Sequence, residues 1–290
     1  MELDLAFIWA GLIAFAVLAY VVMDGFDLGV GILFPFLKGS GEKDLAMNTI
    51  APVWDGNETW LVLGGGGLFA VFPLAYSVVM SALYTPIIAM LIGLIFRGVA
   101  FEYRWRTKRW QHWWDKGFFG GSVLAAFAQG VALGALVQGI EVEGRAYAGG
   151  SRDWLTPFSV LTGVAVVVGY TLLGATWLVM KTEGALNDRA RRFAWPAAIG
   201  TLGLIGVVSV ITPLLDPVYL TRWFSGWTMA FTLLVPVMVM VLGCAVLLFR
   251  GLKTGHDRWP FLASLGIFVL SFIGIGVSFY PHIVPPGITI

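Results

Sequence analysis

Long uncharged runs decide what this chain can fold into. Crossing about 30 Å of hydrocarbon at 1.5 Å per residue takes roughly 20 apolar residues in a helix. Runs of that kind extend from Leu5 to Met23, Thr59 to Phe96, Gly117 to Ile140, Trp154 to Met180, Phe193 to Leu215, Trp223 to Phe249, and Trp259 to the C-terminus. The second is long enough for two spans, and Pro73 in Phe72-Pro73-Leu74 is its natural break, because proline ends or kinks a helix and suits an aromatic-rich interface. The reading is an all-α polytopic transmembrane helical bundle of about eight spans, at 5–34, 52–72, 78–97, 117–140, 156–180, 194–215, 225–249 and 260–280, in a single integral membrane domain over 1–290. Strands of a membrane barrel would alternate over about ten residues, so a barrel is excluded. So is a water-soluble fold: 58% of residues are hydrophobic and 12% charged, with a mean hydropathy of +0.85, against roughly half and a quarter in soluble domains.

Basic residues set the expected orientation. Lys38 and Lys43 follow span one; Arg97, Arg104, Arg106, Lys108, Arg109 and Lys116 follow span three; Lys181, Arg189, Arg191 and Arg192 follow span five; Arg250, Lys253 and Arg258 follow span seven. Only Arg145, Arg152 and Arg222 fall on the other side. By the positive-inside rule the odd-numbered loops are cytoplasmic and the N-terminus lies outside. The acidic start, Met-Glu-Leu-Asp, lacks the basic n-region of a signal peptide, so span one is expected to stay in the mature protein. Glu102 to Trp110 interleaves basic and aromatic residues; beside a span this reads as contact with anionic membrane lipids rather than with nucleic acid. The loops are too short to hold a soluble domain, and no strong internal repeat is evident. The even spans share only a habit of proline-bearing exits at Pro73, Pro213 and Pro281.

Residues able to carry chemistry are few. Haem held by two histidines needs imidazoles within helices, yet His112, His256 and His282 all fall in loops or at exits. A single methionine ligand stays open, with packing as the ordinary role. Cys244 alone permits neither an internal disulfide nor a thiolate cluster, and no metal site is expected. What remains is acid. Asp24 and Asp27 stand three apart within Met23-Asp24-Gly25-Phe26-Asp27-Leu28-Gly29, and Asp55 and Glu58 three apart within Trp54-Asp55-Gly56-Asn57-Glu58-Thr59-Trp60; each pair shares a helix face. The apolar chain continues past Asp27 to Leu37, about 15 Å of helix, so Asp27 should be submerged. An ionised carboxylate near the bilayer centre costs about 2.5 to 3.5 kcal/mol on insertion scales, so groups that can hold and release protons are expected there, as a proton relay needs. Against this stand purely structural acids, or a first span ending at Gly25 with interfacial aspartates. With Arg97 counted in the third loop, no basic residue within the spans is available as a fixed partner. The glycine run Gly64 to Gly67 permits close approach of a helix, with a quinone or haem contact as the alternative.

Met23-Asp24-Gly25-Phe26-Asp27-Leu28-Gly29-Val30-Gly31 and Ala51-Pro52-Val53-Trp54-Asp55-Gly56-Asn57-Glu58 resemble subunit II of cytochrome bd-type quinol oxidases. Phe96 to Arg104, Gly130 to Gly139, Gly174-Ala175-Thr176-Trp177 and Lys181-Thr182-Glu183-Gly184 fit the same family, in order along the chain. The resemblance implies two four-helix bundles plus a ninth helix, which is not present in this chain. It further implies a complex of the bacterial cytoplasmic membrane that oxidises quinol from the quinol pool and reduces dioxygen to water. Haem b and haem d would be ligated by subunit I, with room for small accessory subunits and a bound quinone. Acids matching Asp24, Asp27 and Asp55 would deliver protons, and a tryptophan matching Trp54 would lie at a quinone contact. Glu58 joins the proton pathway on its spacing from Asp55 and not on the resemblance, because some relatives carry glutamine at that position. A proton-coupled secondary transporter, with acids at broken helices near the midplane, is the competing reading; a scaffold without a proton role is a third.

Overall fold

The computed structural model describes residues 4–224 and 235–290. Among these, eleven helices follow in order: α1 (Leu5–Leu33), α2 (Gly39–Ile50), α3 (Trp54–Val71), α4 (Pro73–Ala82), α5 (Tyr84–Arg106), α6 (Gln111–Gln138), α7 (Pro157–Lys181), α8 (Gly184–Leu215), α9 (Pro217–Phe224), α10 (Val235–Thr254) and α11 (Arg258–Phe279). Two short antiparallel hairpins, Val142–Glu143 with Ala146–Tyr147 and His282–Val284 with Ile288–Thr289, sit at the ends of α6 and α11. Seven of the helices, α1, α5, α6, α7, α8, α10 and α11, are long and apolar enough to cross a membrane.

Each start and stop has a local cause. Asp4 caps α1 by accepting from the amides of Ala6 and Phe7, and Thr156 and Ser159 form a reciprocal capping box ahead of Pro157 at the first position of α7, satisfying amides that have no partner within the helix. Pro73 does separate two helices: α3 stops at Val71 and α4 starts on the proline. The helix after it departs from the expected 78–97. A second break at Leu83 starts α5 at Tyr84, and α5 then runs on to Arg106. Arg97 and Arg104 do not end it because both are fully buried against acidic partners. Helix α8 likewise begins ten residues before the expected 194, with an amphipathic turn over Gly184 to Arg192 that basic side chains keep at the surface. The start of the expected 225–249 span lies outside the described residues.

The core lies around the second half of α1. Every residue from Asp24 to Leu33 is buried, whereas Leu5, Phe7, Trp9, Leu12 and Phe15 in the first half are exposed. Helix α7 crosses α1 at Gly29 and Gly174, where the two backbones touch: a Cβ on Gly174 would overlap the backbone of Gly29 and Val30, and one on Gly29 the carbonyl of Tyr170. Only glycine allows that approach. Phe26 stacks on Trp177 at 4.1 Å between ring centroids, with Phe261 edge-on to both, which brings α11 onto the same pair. The glycine run of α3 divides: Gly64 and Gly67 face Val17 and Ile13 of α1, while Gly65 and Gly66 are open.

Helix α2, in what reads as a loop, is a tether. Arg104 of α5 is buried, with Nη1 donating to Asp44 of α2 at 2.5 Å and Nε to Asp115 of α6 at 2.6 Å; Lys43 of α2 reaches the other Asp115 oxygen at 2.8 Å. Glu42 of α2 pairs with Arg189 of α8 at 3.0 Å. On the far side of α8, Arg191 reaches Asp257 at 2.6 Å and Asn187 reaches it at 3.1 Å; slight burial pushes that carboxyl up, but these donors and the cation hold it below the usual aspartate range. Breaking a buried pair by removing one partner costs about 3 to 5 kcal/mol. Arg104→Glu would set a third acid between Asp44 and Asp115, so folded protein recovered from membranes should fall at least that steeply. Wild-type levels of Arg104→Glu would show that the tether is dispensable.

Candidate functional site

Three helices bring one cation to three carboxylates. Asp24 and Asp27 project from the buried half of α1, Glu58 from the second turn of α3, and Arg97 from the middle of α5. Asp24, Asp27 and Arg97 are at most 1% exposed. Arg97 Nη1 donates to Glu58 Oε1 at 2.8 Å and lies 3.5 Å from Asp24 Oδ1, while Nη2 is 3.9 Å from Asp27 Oδ2. Asn57, buried on α3, donates to Asp27 Oδ2 at 2.6 Å and to the carbonyl of Met23 at 3.3 Å.

This arrangement corrects the expectation that no basic residue within the spans can serve as a fixed partner. Arg97 serves that role. Read as a charge, it ends a span; in the structure it is an interior residue whose guanidinium is offset by acids on two other helices. The helix itself does not stop at Gly25: α1 continues through Asp27, which is buried, to Leu33. Asp24, Asp27 and Glu58 come together, and Asp55 does not join them. It stands exposed in the first turn of α3, where a carboxylate suits the positive end of the helix. Trp54 begins α3, half-buried, with its ring 4.9 Å from that of Phe101, packed on Gly98 and 5.8 Å from the Arg97 guanidinium.

Three polar residues extend the cluster inward, and sequence reasoning missed them. Tyr20 stands one turn before Asp24 on α1, its hydroxyl accepting from Gln129 Nε2 at 2.6 Å; the Tyr170 hydroxyl donates to Gln129 Oε1 at 2.7 Å. A lone glutamine within an apolar run, here Gln129 in Phe127-Ala128-Gln129-Gly130, was the signal available. Both Asp24 oxygens, Asp27 Oδ1, and Nε and Nη2 of Arg97 have no hydrogen-bond partner in the protein. Buried polar atoms are normally satisfied, so five such atoms gathered at one place single this cluster out among the described residues.

The chain's histidines do not fit haem ligation: His112 and His256 are exposed, and His282 lies in the C-terminal hairpin. Among the described residues no group of three or more His, Cys, Asp or Glu side chains could hold a metal ion.

Comparison with known proteins agrees with the order of these motifs. Residues 5–290 match the family described as cytochrome bd terminal oxidase subunit II. The chain belongs to that family. It is 40% identical over 214 residues to cytochrome bd-I ubiquinol oxidase subunit 2 of Escherichia coli (strain K12), which takes in 71% of this chain and 56% of that one. This chain therefore spans little more than half the length of that relative. Cytochrome bd ubiquinol oxidase subunit 2 of Bacillus subtilis (strain 168) is 31% identical over 281 residues, covering 95% of this chain and 80% of the other. Among solved structures, the bd oxidase from Geobacillus thermodenitrificans superposes with a TM-score of 0.78 at 17% identity, over 99% of this chain and 88% of that chain. At that identity the likeness speaks for the fold: a multi-pass helical membrane protein, as expected of a cytochrome bd subunit II chain.

Proposed function

We propose that this chain is the haem-free subunit II of a bd-type quinol:dioxygen oxidoreductase, supporting a haem-bearing subunit I and supplying a proton-uptake route from the cytoplasm. The observation that carries the reading is the cluster of buried Asp24 and Asp27 and partly exposed Glu58 around Arg97, in a chain of this family. In the same reading the membrane is the bacterial cytoplasmic membrane, the chain crosses it about eight times within one domain over 1–290, and the N-terminus lies outside. Haem b and haem d belong to subunit I, quinol comes from the membrane pool, and small accessory subunits are further partners.

The chain's own residues divide the task by position. Asp55, exposed at the start of α3, takes protons at the mouth; Glu58 stands one turn deeper. Arg97 gathers Glu58, Asp24 and Asp27 without neutralising them all: three carboxyls face one guanidinium, so their charge balances only when protons are held among them. That makes the cluster a store whose loading can change. The Tyr20–Gln129–Tyr170 hydrogen bonds continue inward from Asp24. Trp54 keeps a partly open ring beside Arg97 and is the quinone-contact candidate.

Asparagine keeps the shape of aspartate but cannot release a proton. Asp24→Asn or Asp55→Asn should lower oxygen consumption by about a hundredfold or more, the range for removing a positioned acid or base, while haem absorbance of the purified complex stays at the wild-type level. Undiminished turnover in both variants would reduce these acids to structural groups. A chain that purifies without haem and accumulates a solute in vesicles would instead favour the transporter.

A further inference from the structure

The corner between α5 and α6 carries a second cluster, with no part in the route above. Helix α5 ends at Arg106, a single 3-10 turn covers Lys108–Trp110, and α6 starts at Gln111. Arg106, Lys108, Arg109 and Lys116 are all exposed. None of the four has an acidic partner within 4.0 Å among the described residues, because the nearby Asp115 is occupied by Arg104 and Lys43. Three tryptophans stand between these cations: Trp105, Trp110 and Trp113 are 43%, 52% and 54% exposed. Arg109 lies over the Trp110 ring at 5.7 Å and Lys116 over the Trp113 ring at 4.6 Å.

We propose that this corner is a docking site for the headgroups of anionic phospholipids. Exposed indoles beside a span sit at headgroup depth, half in hydrocarbon and half in water. Cations stacked on those rings are held at the level of the phosphates instead of extending into bulk water. The unpaired cations supply donors to phosphodiester oxygens. An acidic protein surface would complement the charge equally, but three open indoles among the cations suit a bilayer interface, where an amphipathic ring has both its environments. The site lies on the side to which most of the chain's basic residues fall, the face where anionic lipid exerts the strongest attraction.

The test uses the intact complex, purified with native lipid and then exchanged into detergent containing equal phosphatidylglycerol and phosphatidylcholine, with bound lipid counted by native mass spectrometry. Wild-type complex should retain phosphatidylglycerol in preference to phosphatidylcholine. Lys108→Gln with Arg109→Gln should lower that retention about thirty-fold, the effect of two charges beside an anionic surface. Arg250→Gln with Lys253→Gln, at the end of α10, should leave it unchanged. Raising salt to 1 M should mimic the first pair, since screening then shortens to about 3 Å. The proposal is overturned if the two lipids are retained equally, if the α10 pair has the same effect as the corner pair, or if millimolar inorganic phosphate displaces the lipid. It is overturned equally if Lys108 and Lys116 resist acylation in the delipidated complex, which would mean that a protein surface covers the corner.

Discussion

Replacing Arg97 with glutamine should nearly abolish the folded protein in membranes, and oxygen consumption with it. The substitution leaves Asp24, Asp27 and Glu58 facing one another without a cation, and removing one member of a buried ionic group costs about 3 to 5 kcal/mol. That is a large share of the 5 to 15 kcal/mol by which folded proteins are usually stable. The same arithmetic predicts a rescue. Arg97→Gln combined with Asp27→Asn removes one cation and one acid, so the double variant should recover much of the assembled complex, measured as haem-containing protein per milligram of membrane, while turnover stays low. If Arg97→Gln alone assembles at the wild-type level, the acids do not depend on it, and the cluster is not the ionic centre described above.

Gly174→Val should have a comparable effect for a purely steric reason. The Cβ would fall on the backbone of Gly29 and Val30, and backbone cannot rotate aside as a side chain can. Overpacking a core usually costs about 1 to 3 kcal/mol; here relief requires α1 and α7 to separate, which also moves the aspartates on α1 away from Arg97. The expected result is a thermal midpoint many degrees lower, or no recoverable complex. Gly203→Ala is the matched control, since nothing lies within 4 Å of a Cβ there; alanine in a helix should be neutral or stabilising by about 0.5 to 1 kcal/mol. Equal loss in both variants would trace the effect to α7 and α8 flexibility, not to the crossing.

The membrane class and the ends of α1, α7 and α11 were legible in the sequence because hydropathy, caps and prolines all act locally. Asp24 and Asp27 were legible too, as charges where the hydrocarbon forbids them without a reason. Arg97 was not. Hydropathy counts an arginine at the end of an apolar run as loop, and only a partner from a distant helix can make it interior; that partner is invisible along the chain. The same blindness hid Arg104, with its acids on α2 and α6. Asp55 is three residues from Glu58, but α3 begins only one residue before it, which leaves Asp55 exposed at the mouth while Glu58 reaches Arg97. Helix α2 escaped notice because, with its polar composition, it is held by ion pairs to its neighbours rather than by a long apolar stripe.

The separation of Arg97 from its acids along the chain sets an order of events during synthesis. Helix α1 leaves the ribosome with Asp24 and Asp27 before α5 exists, and at roughly 5 to 20 residues per second the seventy or so residues between them take about 4 to 14 seconds. Throughout that interval the inner half of α1 lacks the cation it will later enclose. An acid waiting without its cation is cheapest to submerge with a proton on it, so the ionic form of the centre is a feature of the finished bundle, complete only once α1, α3 and α5 have met.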